Sequence, residues 1–194
     1  MASTGWNDPG EVVLAGTGQV YVAAVGSTAP TSESSALSAS TWSGLGYTTE
    51  EGVSTNFSVE IQKFGAWQSK NDIRRERGDE VFRVTFNLLQ WNEVNVPFVF
   101  GGGAISDLGG GSYKFTPPAS TAALAEKSLV ADVVDGSSRL RFYIPRGTVV
   151  DAVDSQFNRS GLGTLPVAFE AMEPDDGTPS WSFFSNLASF ATGS

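Results

Sequence analysis

Two stretches of the chain alternate between two sets of residues with a period of two. In residues 53–63 the first set is Val53, Thr55, Phe57, Val59 and Ile61, and the polar residues between them form the second set. Residues 81–89 repeat the pattern with Phe82, Val84, Phe86 and Leu88. Successive side chains of a strand point to opposite faces, so such alternation is typical of a half-buried strand. We expect two strands with one buried face and one polar face.

Shorter runs predict the remaining strands. Residues 19–25 (QVYVAAV) form one run, and residues 165–171 alternate again. Residues 129–134 and 140–144 flank the turn-like sequence Asp-Gly-Ser-Ser at 135–138, which predicts a hairpin. Several short strands separated by turn signals indicate an all-β sandwich or barrel.

The segments between these strands carry weaker signals. Residues 26–41 are rich in Ser, Thr and Ala and predict a loop. Residues 64–79 have neither a helical nor a strand period and also predict a loop, too long for a hairpin turn. Residues 90–100 predict one short helix capped by Asn92, although Pro97 argues against an uninterrupted one. Two glycine runs, at 101–103 and 109–111, bracket a further loop.

These elements predict one domain with an arm at each end. The core strands fall within residues 19–174, with an assembly loop at 64–79. Residues 1–18 and 175–194 lack a clear period and form the expected arms. The first 20 residues have no basic start or continuous apolar stretch, so we expect a soluble protein without a membrane segment.

Composition removes most catalytic chemistry. The 194 residues include no Cys and no His, which excludes disulfides, thiol nucleophiles, Cys/His zinc sites and Ser-His mechanisms. Paired carboxylates at Glu50–Glu51 and at Asp151 with Asp154 are the candidates for a glycosidase pair. The sequence Asp175-Asp176-Gly177 lacks the alternating ligands of a calcium loop. We expect a protein that is not an enzyme and uses no cofactor or metal.

The charge distribution argues against a protein that grips nucleic acid. The net charge is −9, but residues 63–83 hold six basic and four acidic residues, a net of +2. The rest of the chain, with six basic and seventeen acidic residues, carries −11. Proteins hold DNA through Lys and Arg that displace counterions from its phosphates. An acidic body repels those phosphates.

The order and spacing of four segments resemble a known family. Residues 45–53 (LGYTTEEGV) open a strand, residues 66–68 (AWQ) begin an arginine-containing loop, and residues 141–147 (RFYIPRG) follow a second strand. Residues 165–177 (LPVAFEAMEPDDG) close the domain. Together they resemble the major tail tube protein of long-tailed, siphovirus-type bacteriophages, particularly those of actinobacteria. The resemblance covers most of residues 42–180, and Pro97 departs from the uninterrupted helix expected in that family.

The resemblance implies a β-sandwich whose six copies form a ring, with the inner sheets joined into one β-barrel. Stacked rings would make a hollow tube in the virion tail, assembled in the host cytoplasm, through which DNA passes without specific binding. The implied partners are further copies of the chain, the tape measure protein, the tail terminator and the distal tail protein. An acidic body suits such a channel, because fixed negative charge keeps phosphates off its wall.

Strand alternation and residue type then assign candidate site residues. The polar strand faces place Glu60, Asp132 and Glu170 toward the channel, with Arg83 and Arg141 on the same faces and paired to these carboxylates across strands. Aromatic and arginine side chains dominate interface hot spots. The expected assembly residues are therefore Trp6, Trp67, Arg74, Arg75, Arg77 and Trp181.

Two other functions fit a β-sandwich of this composition. The first is a carbohydrate-binding module of a virion or cell surface, which would remain small and bind glycans. The second is a carboxylate hydrolase, which would lose activity when one carboxylate is neutralised. A tube protein differs from both because it polymerises and catalyses nothing.

Overall fold

Antiparallel strand pairing organises nearly the whole chain. The computed structural model describes residues 11–151, 153–159, 161–187 and 190. Its strands are β1 (Thr17–Ala24), β2 (Ser43–Gly44), β3 (Thr48–Ala66), β4 (Ser69–Leu88), β5 (Ala104–Gly109), β6 (Ser112–Thr116), β7 (Lys127–Asp135), β8 (Ser138–Val149), β9 (Leu165–Ala171) and β10 (Ser182–Ser185). One short helix, α1, spans Asn95–Val99. The all-β prediction is confirmed.

Eight strands share one sheet, in the order β2-β1-β7-β8-β9-β4-β3, with β10 paired to β8 beside this path. Strand β8 joins two halves of the sheet: β2, β1 and β7 form one half, and β9, β4 and β3 form the other. Its first residues pair with β7, and its last three pair with β9. Gly147 lies at this junction, where a Cβ atom would collide with the Glu170 carbonyl oxygen and the Phe169 ring. The predicted strands at 19–25, 129–134, 140–144 and 165–171 are all present.

One hydrophobic core draws on both halves of the sheet. Val20 and Leu129 come from one half, and Val84, Leu88 and Phe169 from the other; all five are fully buried. The predicted inward residues Phe82, Val84, Phe86 and Leu88 of β4 are buried. Their burial leaves the alternate residues of β4 on an outer face.

Helix α1 closes one side of this core. Phe98 packs against Phe169 with ring centroids 5.9 Å apart. The Asn92 side-chain oxygen accepts hydrogen bonds from the backbone N–H groups of Val94 and Asn95, in the turn that leads into the helix. The N-cap residue of the helix is Val94 and not Asn92 as predicted, and Val94 makes no side-chain capping bond. Pro97 lies in the first turn, where its missing N–H costs little, and it does not prevent the helix.

Residues 64–79 correct the prediction of a loop. They form the far end of a hairpin in which β3 and β4 pair from Thr48 with Leu88 to Ala66 with Ser69, joined by Trp67 and Gln68. Register shifts after Val59 and after Phe64 interrupt the ladder without ending it. The part beyond Phe57 and Phe82 has no third strand beside it in the described structure and extends roughly 25 Å from the sheet.

Two further segments differ from the sequence predictions. The segment between the glycine runs is not a loop, because β5 and β6 form a separate two-stranded hairpin there, closed by Gly110 and Gly111. Residues 175–194 were expected to form an arm outside the domain, but β10 pairs with β8 of its own chain. Trp181, just before β10, stacks on Phe82 with centroids 4.1 Å apart and planes within 7°. This tryptophan is therefore part of the subunit's own packing.

The two tryptophans assigned alike from sequence should differ in their effect on stability. Trp181→Ala should lower the free energy of unfolding by about 2 kcal/mol, because the Phe82 ring loses its stacked partner. Trp67→Ala is the matched control: its side chain is 99% exposed, and the change should stay within about 0.5 kcal/mol. Urea denaturation of the dilute protein measures both values. Equal losses for the two variants would contradict this assignment.

Candidate functional site

The outer face of β3, β4 and β9 is polar and open. We call it the polar face; it consists of Glu51, Ser54, Asn56, Ser58, Glu60, Gln62, Arg83, Thr85, Asn87 and Glu170. The register places Asn56 beside Arg83 and Arg83 beside Glu170, so polar side chains run across all three strands. Glu60 is exposed on β3, the edge strand. The predicted alternation thus places most polar side chains of these strands on one surface, which Val81, Pro166 and Ala168 share.

The arginine on the polar face is neutralised. Arg83 donates hydrogen bonds to Glu170 at 2.8 Å and to Asp151 at 3.0 Å. The hydrogen bond to Glu170 is the main cause that raises the pKa of Arg83 above its ordinary value. The predicted cross-strand pair of Arg83 and Glu170 is confirmed. Two carboxylates surround one cation, so this point of the face carries a net negative charge.

Asp132 is covered by other parts of its own chain. It sits on β7, its side chain is only 13% exposed, and Arg141 of β8 binds both of its carboxylate oxygens, at 2.6 and 2.8 Å. The predicted pairing of Arg141 with Asp132 is confirmed, but the pair is covered and does not line an open surface. Asp132 is therefore covered within its own subunit, and its assignment to a channel wall stays a prediction.

Residues 26–42 cover this pair, and we call them the covering segment. Arg141 donates to the backbone oxygens of Ser32 and Ser35, at 3.1 and 2.7 Å. Trp42 is buried; its indole N–H donates to Thr28, and its ring meets Tyr143 edge-on. Hydrogen bonding to Asp132 raises the pKa of Arg141, and burial raises that of Tyr143. The prediction of a loop at 26–41 agrees with the mostly non-strand structure of the segment.

The far end of the β3–β4 hairpin gathers most of the predicted assembly residues. We call residues 61–77 the hairpin tip; it contains Trp67, Arg74, Arg75 and Arg77. The arginines pair locally with Glu76, Asp72 and Glu80, and all three remain more than 60% exposed. Exposed pairs of this kind contribute little to stability. Trp181 lies outside the tip, beside Phe82 about midway along the hairpin. Trp6 lies outside the described residues.

Apolar side chains on the hairpin tip have no cover within the chain. The exposed fractions are 55% for Ile61, 42% for Phe64, 99% for Trp67 and 63% for Ile73. The tip therefore combines cationic and apolar side chains on a protruding two-stranded ribbon. That combination favours contact with another macromolecule.

An aromatic groove was not predicted from the sequence. It lies beside the opposite end of the same hairpin, with a volume of about 400 Å³. Its lining residues are Tyr47, Leu89, Gln90, Trp91, Phe157, Leu162 and Gly163. Trp91 had been assigned to the helix region and Phe157 to no element. The lining residues of this groove come from three separate segments without a shared period, so no local pattern indicates it.

Two of the candidate catalytic carboxylates have hydrogen-bond partners within the chain. Asp151 is bound to Arg83, and Glu51 accepts a hydrogen bond from Asn87 at 3.2 Å. Within the described ranges, no group of three or more acidic residues is arranged to hold a metal ion. Likewise, no helix in the described part is long and apolar enough to cross a membrane.

Comparison with known proteins identifies one family. A family model described as phage tail tube protein matches residues 5–192, which is nearly the whole chain. No curated protein matches the chain.

Replacing the covered Arg141 and the more exposed Arg83 should lower the free energy of unfolding by different amounts. Arg141→Met should lower the free energy of unfolding by about 3 kcal/mol, because it leaves Asp132 charged and covered without its partner. Arg83→Met, whose side chain is 34% exposed, is the matched control and should cost less than about 1 kcal/mol. Thermal or urea unfolding distinguishes them. A loss for Arg141→Met no larger than for Arg83→Met would show that Asp132 is hydrated.

Proposed function

Because the chain belongs to the phage tail tube protein family, and is thus a structural component of the virion tail, we propose that six copies close into a ring. Stacked rings then form the tube, and DNA leaves the virion through its channel. The observation that carries this proposal is the β3–β4 hairpin. Its near half contributes most of the polar face, while its far half protrudes without cover.

The polar face supplies the channel wall in this arrangement. Ser, Thr, Asn and Gln side chains keep such a wall hydrated, and the one arginine in its centre is bound to two carboxylates. Glu51 and Glu60 add exposed negative charge on β3. A wall with this charge gives DNA phosphates no counterion-releasing contacts, so DNA slides past it.

Edge strand β3 supplies the contact between neighbouring subunits of a ring. An edge strand carries unpaired backbone N–H and C=O groups, which pair readily with another chain. In the described structure β3 is the last strand of its sheet. Joining β3 to the neighbouring subunit's sheet continues the polar face around the ring and leaves no open edge.

The hairpin tip supplies a second contact, as the sequence predicted for Trp67, Arg74, Arg75 and Arg77. Its surface pairs hold the arginines only weakly, so carboxylates of a neighbouring subunit can replace or extend them. Assembly with itself and with other tail proteins follows from the family. We propose the tape measure protein inside the tube, and the tail terminator and distal tail protein at its two ends.

Removing the tip's two main contact groups should block polymerisation but not folding. Trp67→Ala combined with Arg74→Ala should give a folded monomer without tubes, because both side chains are exposed and support no part of the subunit. Negative-stain electron microscopy and light scattering of concentrated protein measure the outcome. Leu108→Ala with Arg139→Ala, an exposed pair on other hairpins, is the control and should leave tubes. Normal tube yield from the tip variant would refute the contact.

Reversing charge on the polar face should slow DNA release. Glu51→Lys with Glu60→Lys should leave tubes intact but make DNA adhere to the wall, most strongly at low salt, where counterion release is greatest. The measurement is the rate of DNA release from receptor-triggered particles at low and high salt. Glu11→Lys with Glu173→Lys makes the same charge change outside the polar face and should have no effect. Unchanged release at low salt from Glu51→Lys/Glu60→Lys particles would remove this face from the channel.

A further inference from the structure

The aromatic groove beside the base of the β3–β4 hairpin is open to solvent despite its apolar lining. The exposed fractions are 74% for Tyr47, 71% for Phe157 and 75% for Leu162. We propose that this groove receives the hairpin tip of a second copy of the chain, with the Trp67 indole as the inserted group. The inference rests on the proposed function and adds to it the surface that receives the tip.

The groove is held in shape by contacts within its own chain. Trp91 and Phe157 pack with centroids 5.2 Å apart, and the Trp91 indole N–H donates to the Gly163 carbonyl at 3.3 Å. A Cβ atom at Gly163 would lie 2.7 Å from the Phe157 ring, so only glycine allows this approach. Across the groove, the backbone N–H of Tyr47 donates to the Gln90 side chain at 3.2 Å. A preformed pocket loses little entropy when it is filled.

The tip and the groove lie at opposite ends of one ribbon. Tyr47 immediately precedes β3 and Leu89 immediately follows β4, whereas Trp67 joins the other ends of these strands. Nineteen strand residues at about 3.3 Å each separate them by roughly 60 Å. Trp67 cannot reach the groove of its own chain, so the contact is made between copies. A contact between different surfaces of identical subunits repeats from one subunit to the next.

Charge favours the same pairing. The tip, residues 61–77, has five basic and two acidic residues, a net charge of +3. Along the chain, the exposed charged residues within three positions of the groove lining are Glu50, Glu93, Asp154 and Arg159, a net charge of −2. Opposite charges on two surfaces that meet orient their approach, while a buried aromatic anchor supplies the affinity.

Site-directed cross-linking tests the contact in assembled tubes. The chain contains no cysteine, so Gln68→Cys beside Trp67 and Leu162→Cys in the groove introduce single reactive positions. Tubes co-assembled from the two variants and treated with a short bismaleimide should yield linked dimers. Gln68→Cys with Leu108→Cys, on the exposed β5–β6 hairpin, is the control and should not link. Tubes that contain both variants but give no link above this control would overturn the proposal.

A mutational arm measures what the contact contributes. Leu162→Asp should raise the protein concentration needed for tube growth roughly tenfold, because it puts a charge in the groove where the Trp67 indole of the second copy would bind. Leu108→Asp, an equally drastic change of an exposed leucine, should leave that concentration unchanged. The double variant Trp67→Ala/Leu162→Asp should be no worse than the more defective single variant, since both remove one interaction. Additive defects would separate the two residues and overturn the pairing.

The outcomes separate this inference from the proposed function. If the unaltered protein forms no tubes, the proposed function fails. If tubes form and Leu162→Asp grows them as readily as Leu108→Asp, the groove is not a contact and only the inference fails. If Leu162→Cys links to Trp6→Cys instead of Gln68→Cys, the N-terminal segment occupies the groove, which also overturns the choice of Trp67.

Discussion

A two-stranded ribbon cannot bury the side chains of both its faces, and the rest of the structure depends on this constraint. In the near half of the hairpin, β4 pairs with β9 in the sheet and buries Phe82, Val84 and Phe86 in the core. The far half continues the same backbone ladder with solvent on both faces. An isolated hairpin is only marginally stable in water. The fold therefore commits about 20 residues to a structure that the subunit leaves uncovered, and we propose that a neighbouring copy completes it.

The arginines show how the subunit keeps its surface acidic without losing structure. Arg141 is buried on Asp132 and holds the covering segment in place through two backbone oxygens. Arg83 meets two carboxylates on the polar face, and the arginines of the hairpin tip pair with local carboxylates. Each of these arginines is thus bound by at least one carboxylate of its own chain. In the proposed tube, this arrangement leaves the remaining carboxylates to set the potential that DNA encounters.

The alternation of apolar and polar residues correctly predicted which residues of β4 face the core, because one face of that strand is buried. It could not predict the hairpin tip. A ribbon that is exposed on both faces is held by backbone hydrogen bonds, so its sequence shows no alternation of apolar and polar residues. Strand alternation placed Asp132 on an outer face but did not reveal what covers that face. Arg141 contacts the covering segment through two backbone oxygens and one serine hydroxyl, which carry little sequence signal. Trp181 resembled an arm residue because its partner, Phe82, lies 99 positions away along the chain.

Hydrogen exchange of the backbone amides in residues 61–77 tests most directly whether a neighbouring copy completes the ribbon. In dilute, unassembled protein these amides should exchange far faster than those of residues 82–88, because no third strand or packed face restrains local opening. In assembled tubes their protection should rise by at least about a hundredfold, toward that of the core. Equal exchange of residues 61–77 in the monomer and in the tube would contradict the account.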